Sequence, residues 1–494
     1  MRVLQPATLA GKYKSVAFAG FAILFLLSLW SLEWPAQSFD LYAYVQDPAE
    51  KAAFEAHYAS AVAVADQYRA NPVDKSQFGE MGTRLKTIRG WIEQTGNAHR
   101  TRDQKEKWTT LIEEVAGSML PFIQSPNSSS ITPLKSLRSS FVRGTKGLVI
   151  TTGKKRFRYA CHLVSSLRQV LKSRLPIQIA YSGEDDLPEE YRDFITGLES
   201  DVSTFDVTTV FNDSTLDLGW GGWAVKAFAV LGSTFEQAIL LDADDVFFQP
   251  PEAIFDEDPQ YLETGTLLFH DRLLWQGAFK ERHAWWGKQL ENTNLSETIK
   301  HSKVYMEGYA EEGDSGVVTV DKSRLGVFIG LLHIAWQNTK DVREAYTYTQ
   351  GYGDKESWWF GFELTETPYS MEPHYAAIVG HVKLNQQGHE EKRVCSFTIA
   401  HVDHRDRLLW FNGSLLRNKE NNPMEFDVPS EWMIDATWEK GASKQDMSCM
   451  SGGEVRQIDV GAVDIVQRSV ELAKKTDELM REKIPGSLPW FKLG

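Results

Sequence analysis

Three carboxylates crowd one short stretch of the chain, Asp242-Ala243-Asp244-Asp245, directly after the apolar run Ala238 to Leu241. Like charges this close repel, and a divalent cation is their natural counter-charge. Hard cations such as Mg2+ and Mn2+ take carboxylate and phosphate oxygens, so D-x-D at a strand end suits a metal that bridges a diphosphate. Asp242 and Asp244 are the ligands expected. Replacing either with Ala should leave the fold intact, or improve it, because repulsion is relieved. The competing reading is a helix N-cap or an acidic surface turn. The flanking Val246-Phe247-Phe248 and Pro250-Pro251 favour the strand-end site.

Other residues have the types a sugar and phosphate site needs. Asp314 opens Asp314-Ser315-Gly316 before the apolar Val317 and Val318, where small neighbours let the backbone approach a ligand closely. Asp354 and Glu356 lie in GDKESWW beside Trp358 and Trp359: acids bind hydroxyls, and aromatic faces pack on sugar C–H surfaces. Both acids would equally suit a helix N-terminus. Lys226 precedes the acidic strand and could neutralise donor phosphate. Gly153, Lys154 and Arg156 follow an earlier strand, where a nucleotide would sit. His401 follows the apolar Phe397 to Ala400, with His404 and His381 as competitors for an imidazole ligand. Trp220, Trp223, Trp285 and Trp286 could line an acceptor cleft or simply fill a core.

The elements that must position these residues alternate. Gly147–Thr152, Pro176–Tyr181, Ser203–Phe211 and Ala238–Leu241 read as strands. Helical patterns at Tyr159–Lys172, Glu189–Leu198 and Gly222–Ser233 separate them. This predicts a parallel α/β sheet with ligands at the carboxyl ends of its strands. Ser315–Val320 reads as a further strand, Leu325–Gln337 as a helix, and Glu454–Arg481 as a C-terminal helical segment. Ahead of the sheet, residues 33–140 read as a stem with helix-prone Ala49–Tyr68 and Arg100–Leu120 and a polar linker, Ser125–Thr132.

Ser15 to Leu32 holds no charged residue. As a helix it would span roughly 27 Å, close to a bilayer core. Arg2, Lys12 and Lys14 precede it, and Glu33, Asp40 and Asp47 follow, which places residues 1–14 in the cytosol and the bulk in a lumen. A single span at this position, residues 15–32, is the layout of a type II Golgi membrane protein; a cleaved signal peptide is the alternative. The sequons at Asn127, Asn212, Asn294 and Asn412 are compatible with a lumenal body. Cys161, Cys395 and Cys449 allow one disulfide, for which Cys395 with Cys449 is the pair expected; three free thiols are the alternative. A net charge of −14 argues against a nucleic-acid partner.

The segment GWAVKAFAVLGSTFEQAILLDADDVFFQPPEAIF from Gly222 resembles the central block of the fungal Golgi α-1,3-mannosyltransferases, relatives of the enzymes that cap yeast mannan. GLVITTGKKRFRYACHLVSSLR, EEGDSGVVTVDKS, GDKESWWFGFEL and HVDHRDRLLWFNGSLL resemble further blocks, in the same order. The resemblance spans Gly147 to Leu416. It implies a GT-A domain, a Rossmann-like nucleotide-sugar-binding α/β fold, at residues 141–455, followed by the helical segment 456–494. It further implies Mn2+, GDP-mannose as donor, and retaining α-1,3 transfer to a mannose-terminated glycan. By resemblance, Asp242 and Asp244 hold the metal, with His401 the expected third ligand; Asp242, Gly153, Lys154 and Lys226 contact the donor; Asp314, Asp354 and Glu356 serve acceptor contact or catalysis. The family more often carries Asn where Asp245 stands. A UDP-sugar donor on the same fold and a non-catalytic glycan-binding subunit are the rival readings.

Overall fold

The structure, a computed structural model, describes residues 48–219, 222–383 and 392–487. The expected membrane anchor at Ser15–Leu32 and Trp220 lie outside the described residues. Among those residues no helix is long and apolar enough to cross a membrane. Contacts divide the chain at Ser60 into two units. Of the first, the described part is the opening of the helix Pro48–Ala70. The second, Ala61–Gly494, holds everything discussed below.

Its centre is a mixed sheet. The first strands are β1 (Val142–Thr151), β2 (Ile177–Tyr181), β3 (Val202–Asp206) and β4 (Phe235–Asp242). A short β5 (Asp245–Phe247), β6 (Thr266–His270) and β7 (Gly313–Asp321) follow. The order across the sheet is β3-β2-β1-β4-β7-β6. The first four strands are parallel, as the alternating pattern predicts. The sheet is not parallel throughout, however: β7 runs antiparallel between β4 and β6. Leu148, Val149 and Ile150 of β1 and Ala238–Leu241 of β4 are fully buried, which is why those strands are continuous apolar runs rather than alternating ones. β3 is shorter than expected, because the Asp206 carboxylate accepts the Thr208 N–H at 2.9 Å and turns the chain into a helical turn, Val207–Val210.

A second sheet lies further along the chain and has no counterpart in the sequence reading. Its strands include β8 (Ile378–Lys383) and β9 (Arg393–Ser396). β10 (Ile399–Val402) instead pairs with β11 (Leu408–Asn412), and β11 with β5, tying this region to the end of β4. β12 (Leu416–Asn418) and β13 (Asn422–Phe426) form a hairpin. With β14 (Glu431–Met433), β15 (Thr437–Glu439), β16 (Ser448–Ser451) and β17 (Arg456–Gln457), the second sheet has the order β15-β16-β9-β8-β14-β17. The Cys395–Cys449 disulfide joins β9 to β16, and Cys161 is a free, buried thiol.

Residues read as stem pack into the same unit as the sheet. The helix Phe78–Gly96 places Phe78, Met81, Leu85, Ile88 and Ile92 on one buried face. Phe78 meets Trp285 at 4.8 Å and Trp336 at 5.0 Å between ring centres. At Gly82 a Cβ would stand 2.5 Å from the Leu364 carbonyl oxygen, so the helices touch through glycine. At the other end the helix Val460–Lys483 is clamped by Asp477. Its carboxylate accepts Arg158 Nε at 2.9 Å and Nη2 at 2.6 Å, and lies 2.8 Å from His162 Nε2, all buried. Met480 and Ile484 join the main hydrophobic core.

Candidate functional site

The site is built where β4 ends. β5 turns away to pair with β11, leaving Asp242, Ala243 and Asp244 at the carboxyl edge of the sheet. The Asp244 carbonyl accepts the N–H groups of Gly413 at 3.2 Å and Ser414 at 2.7 Å, which fixes the turn. Asp245 faces inward: its carboxyl accepts the Asp242 N–H at 2.9 Å and Asn412 Nδ2 at 3.1 Å. Burial, then the neighbouring Asp242, Asp244 and Asp314, push its pKa well up. Asp245 therefore shapes the turn and is not available as a ligand.

Asp242 and Asp244 reach solvent, with side chains 23% and 11% exposed. Each is already matched by a lysine. Lys226 Nζ stands 2.7 Å from Asp242, and Lys419 pairs with Asp244. Burial raises the Asp242 pKa to about 7, against the pull of Lys226 and with Asp244 adding to it. At Asp244 burial acts in the same sense, but Lys419 and Arg156 outweigh it and the pKa falls. Lys226 is itself buried, yet Asp242 and then Asp354 overcome that penalty and raise its pKa.

Lys226 is the hub of the site. Beyond Asp242 it donates to the Ser315 carbonyl at 3.0 Å and hydroxyl at 3.1 Å, and lies 3.7 Å from Asp354. The Ser315 hydroxyl donates to Asp354 at 3.2 Å, and Trp358 Nε1 donates to the other Asp354 oxygen at 2.8 Å. Three motifs far apart in sequence thus meet in one buried network. Gly316 follows because nothing larger fits: a Cβ there would stand 2.7 Å from the Trp410 ring and 3.1 Å from Asp245 Oδ1.

Asp314 belongs to an adjoining network. Its carboxylate meets His401 Nε2 at 3.0 Å, accepts the Gly316 N–H at 3.1 Å, and lies 4.0 Å from Lys355. Lys355 also pairs with Asp271. Burial opposes the Asp314 charge, but Lys355 and the His401 hydrogen bond outweigh it and hold the pKa far below the usual carboxylate range. His401 stacks on Trp410 at 4.3 Å, its side chain is 0% exposed, and its Nδ1 is buried without a partner. The structure brings His401 to Asp314 rather than into a three-ligand set; among the described residues no three His, Cys, Asp or Glu side chains are so arranged.

Glu356 points elsewhere. Its oxygens accept the Glu312 N–H at 3.0 Å and Trp359 Nε1 at 2.6 Å, and burial, then Glu311, raise its pKa to about 8. Asp354, Glu356 and Asp314 are all buried, at 1%, 3% and 5%, so in this arrangement they position other groups. Trp358 and Trp359 are core residues that hold these acids. Trp286 is buried, and Trp285 packs on Phe78 and Phe360. Gly153 closes β1 against Asp186, where a Cβ would lie 1.9 Å from Oδ1; Lys154 donates its N–H to the Asp186 carbonyl at 2.8 Å and is exposed. Lys419, Asn412, Lys355 and Asp271 were not foreseen. Lys355 was legible inside GDKE; Asn412 appeared only as a sequon; Lys419, in a polar hairpin, carries no local signal.

The donor set fits a divalent cation of the kind held by two carboxylates and substrate phosphates: hard oxygens, partly exposed, at a strand end. Asp242 and Asp244 would hold it.

A family model of mannosyltransferases matches residues 145–403. Alpha-1,3-mannosyltransferase MNT3 of Saccharomyces cerevisiae is 31% identical over 290 residues, covering 53% of this chain and 45% of that protein. Alpha-1,3-mannosyltransferase MNT2 of the same yeast is 24% identical over 304 residues, 55% of this chain and 52% of its own. The chain thus spans about half the length of the relatives it matches. Among solved structures, galactosyltransferase LgtC with donor and acceptor sugar analogues covers 46% of this chain and 72% of its own at 13% identity. Its TM-score of 0.29 is too low to argue from. The matched segment holds the acidic turn, the Lys226 network and His401 alike, and by it this chain belongs to the mannosyltransferase family.

Proposed function

We propose that the protein is a metal-dependent retaining α-1,3-mannosyltransferase of GT-A type that moves mannose from GDP-mannose to a mannose-terminated glycan. The observation that carries this reading is the Lys226 network. It joins the acidic turn, Asp314-Ser315-Gly316 and the start of the helix Lys355–Leu364 at one sheet edge. Family membership supports the choice of sugar.

A divalent cation, Mn2+ by resemblance, would supply positive charge against the departing nucleoside diphosphate. The chain's own residues prepare that position. Lys226 holds Asp242 and Asp354 at fixed separation, and the turn hydrogen bonds from Gly413 and Ser414 aim Asp244. Lys419, its side chain 23% exposed, carries positive charge at the same edge and can meet donor phosphate, while the buried Lys226 holds Asp242 in place. Asp314, held ionised by Lys355, keeps His401 fixed between it and Trp410. The anchor at Ser15–Leu32 and lumenal, Golgi-type placement complete the proposal; protection of the C-terminal body from protease in sealed microsomes would test them, and its digestion would contradict them.

The donor is tested with the full chain, Mn2+ and a panel of nucleotide sugars. Transfer from GDP-mannose should exceed that from UDP-galactose or UDP-glucose by more than about tenfold, ~1.4 kcal/mol. Equal rates would move the assignment to a UDP-sugar enzyme. No transfer from any donor, with glycan binding retained, would make the protein a non-catalytic binding subunit.

A further inference from the structure

Two large aromatic side chains stand in solvent beside the Lys226 network. Trp223 is 45% exposed and Tyr352 56%, whereas most large aromatics among the described residues are buried. Their ring centres lie 5.0 Å apart with planes tilted by 56°, forming a shallow notch. Trp223 opens the turn that leads into the helix Val225–Gly232, and its carbonyl accepts the Lys226 N–H at 3.2 Å. Tyr352 is two residues before Asp354. Between them Gly353 adopts φ +71°, and a Cβ there would lie 2.6 Å from the indole. The indole therefore rests on bare backbone, braced by the edge of Tyr348 at 6.0 Å. The two segments that clamp it are the ones that deliver Lys226 and Asp354, whose charged atoms are 3.7 Å apart.

We infer that Trp223 and Tyr352 are the platform on which a pyranose ring of the acceptor glycan packs. A pyranose has an apolar C–H face and a rim of hydroxyls. A rigid aromatic surface meets the apolar face, at little cost in side-chain entropy because the indole is already fixed. A nucleobase would instead call for a flat slot, and the 56° tilt does not provide one. The inference rests on the transferase reading for the identity of the sugar.

The test uses Trp223→Ala, Tyr352→Ala and Trp223→Phe in the full chain. Acceptor KM should rise about tenfold or more in each alanine variant, while donor KM and kcat stay within about threefold, and Trp223→Phe should recover most of the loss. Unchanged acceptor KM in both alanine variants overturns the platform, and so does a rise confined to donor KM, which would place the nucleobase there. Saturation-transfer NMR with an α-mannoside oligosaccharide and no donor separates the two readings. If the wild type transfers no sugar but binds the oligosaccharide, and Trp223→Ala abolishes that binding, the platform stands and the transferase reading falls. If binding survives in Trp223→Ala, the platform falls whatever the activity. Should Trp223→Ala fail to fold, as judged by its thermal transition, the exposed Tyr352→Ala decides by the same criteria.

Discussion

At Asp242 the sequence suggests three acids repelling one another, and the structure shows something different. Lys226 stands 2.7 Å away and Lys419 pairs with the neighbouring Asp244, so the charges are largely balanced. Removing Asp242 leaves the buried Lys226 with one ionic partner fewer. Asp242→Ala should therefore lose about 1–3 kcal/mol of stability in denaturant titration, instead of gaining any. Its transfer rate should fall more than about a hundredfold, ~3 kcal/mol of transition-state stabilisation. Activity near the wild-type level would remove Asp242 from the mechanism. Glu356 gives a pH signature. Its carboxyl is held neutral up to about 8, against 4.5 ordinarily, chiefly by burial. With the folded pKa raised, its contribution is full below 4.5 and is lost as pH climbs towards about 8. Glu356→Gln keeps one of the two hydrogen bonds and cannot ionise. It should cost about 1 kcal/mol near pH 5 and less near pH 8. A cost that grows with pH would show that the carboxylate, not the acid, is the buried form.

The elements that carry the site were legible where their pattern is local. Ala238–Leu241 announced β4 because a strand buried on both faces must be apolar throughout, and Leu325–Gln337 is the helix its sequence predicts. The helix Phe78–Gly96 was hidden by Gly79, Gly82 and Gly90, although Phe78, Met81, Leu85, Ile88 and Ile92 keep the helical period. Gly79 and Gly82 are there for contact: a Cβ at either would meet backbone oxygen within 2.5 Å. The second sheet was illegible because its short strands are joined by long-range pairing. The helix Val460–Lys483 was expected only as a C-terminal helical segment, yet its Asp477 makes a buried ion pair with Arg158, with side chains 6% and 3% exposed. Asp477→Ala should cost about 3–5 kcal/mol, because Arg158 would be left charged and buried. A thermal transition unchanged from wild type would show that the helix is not part of the cooperative unit.

For the molecule as a whole, the order of motifs along the chain told more than any motif alone. The sheet edge brings together the acidic turn, Ser315 and Asp354, as their common placement at element ends suggests. The partners could not be read, because Lys419 reaches Asp244 across 175 positions. His401 was expected beside the acidic pair and instead meets Asp314, since β10 pairs with β11 and stacks it on Trp410. The reaction proposed for this edge is transfer of mannose with retention. The most direct measurement is a proton NMR time course of GDP-mannose with a methyl α-mannoside acceptor and Mn2+. The first disaccharide formed should be α-configured and linked through the acceptor O3; a β-configured product, or only hydrolysis of the donor, would overturn retaining transfer.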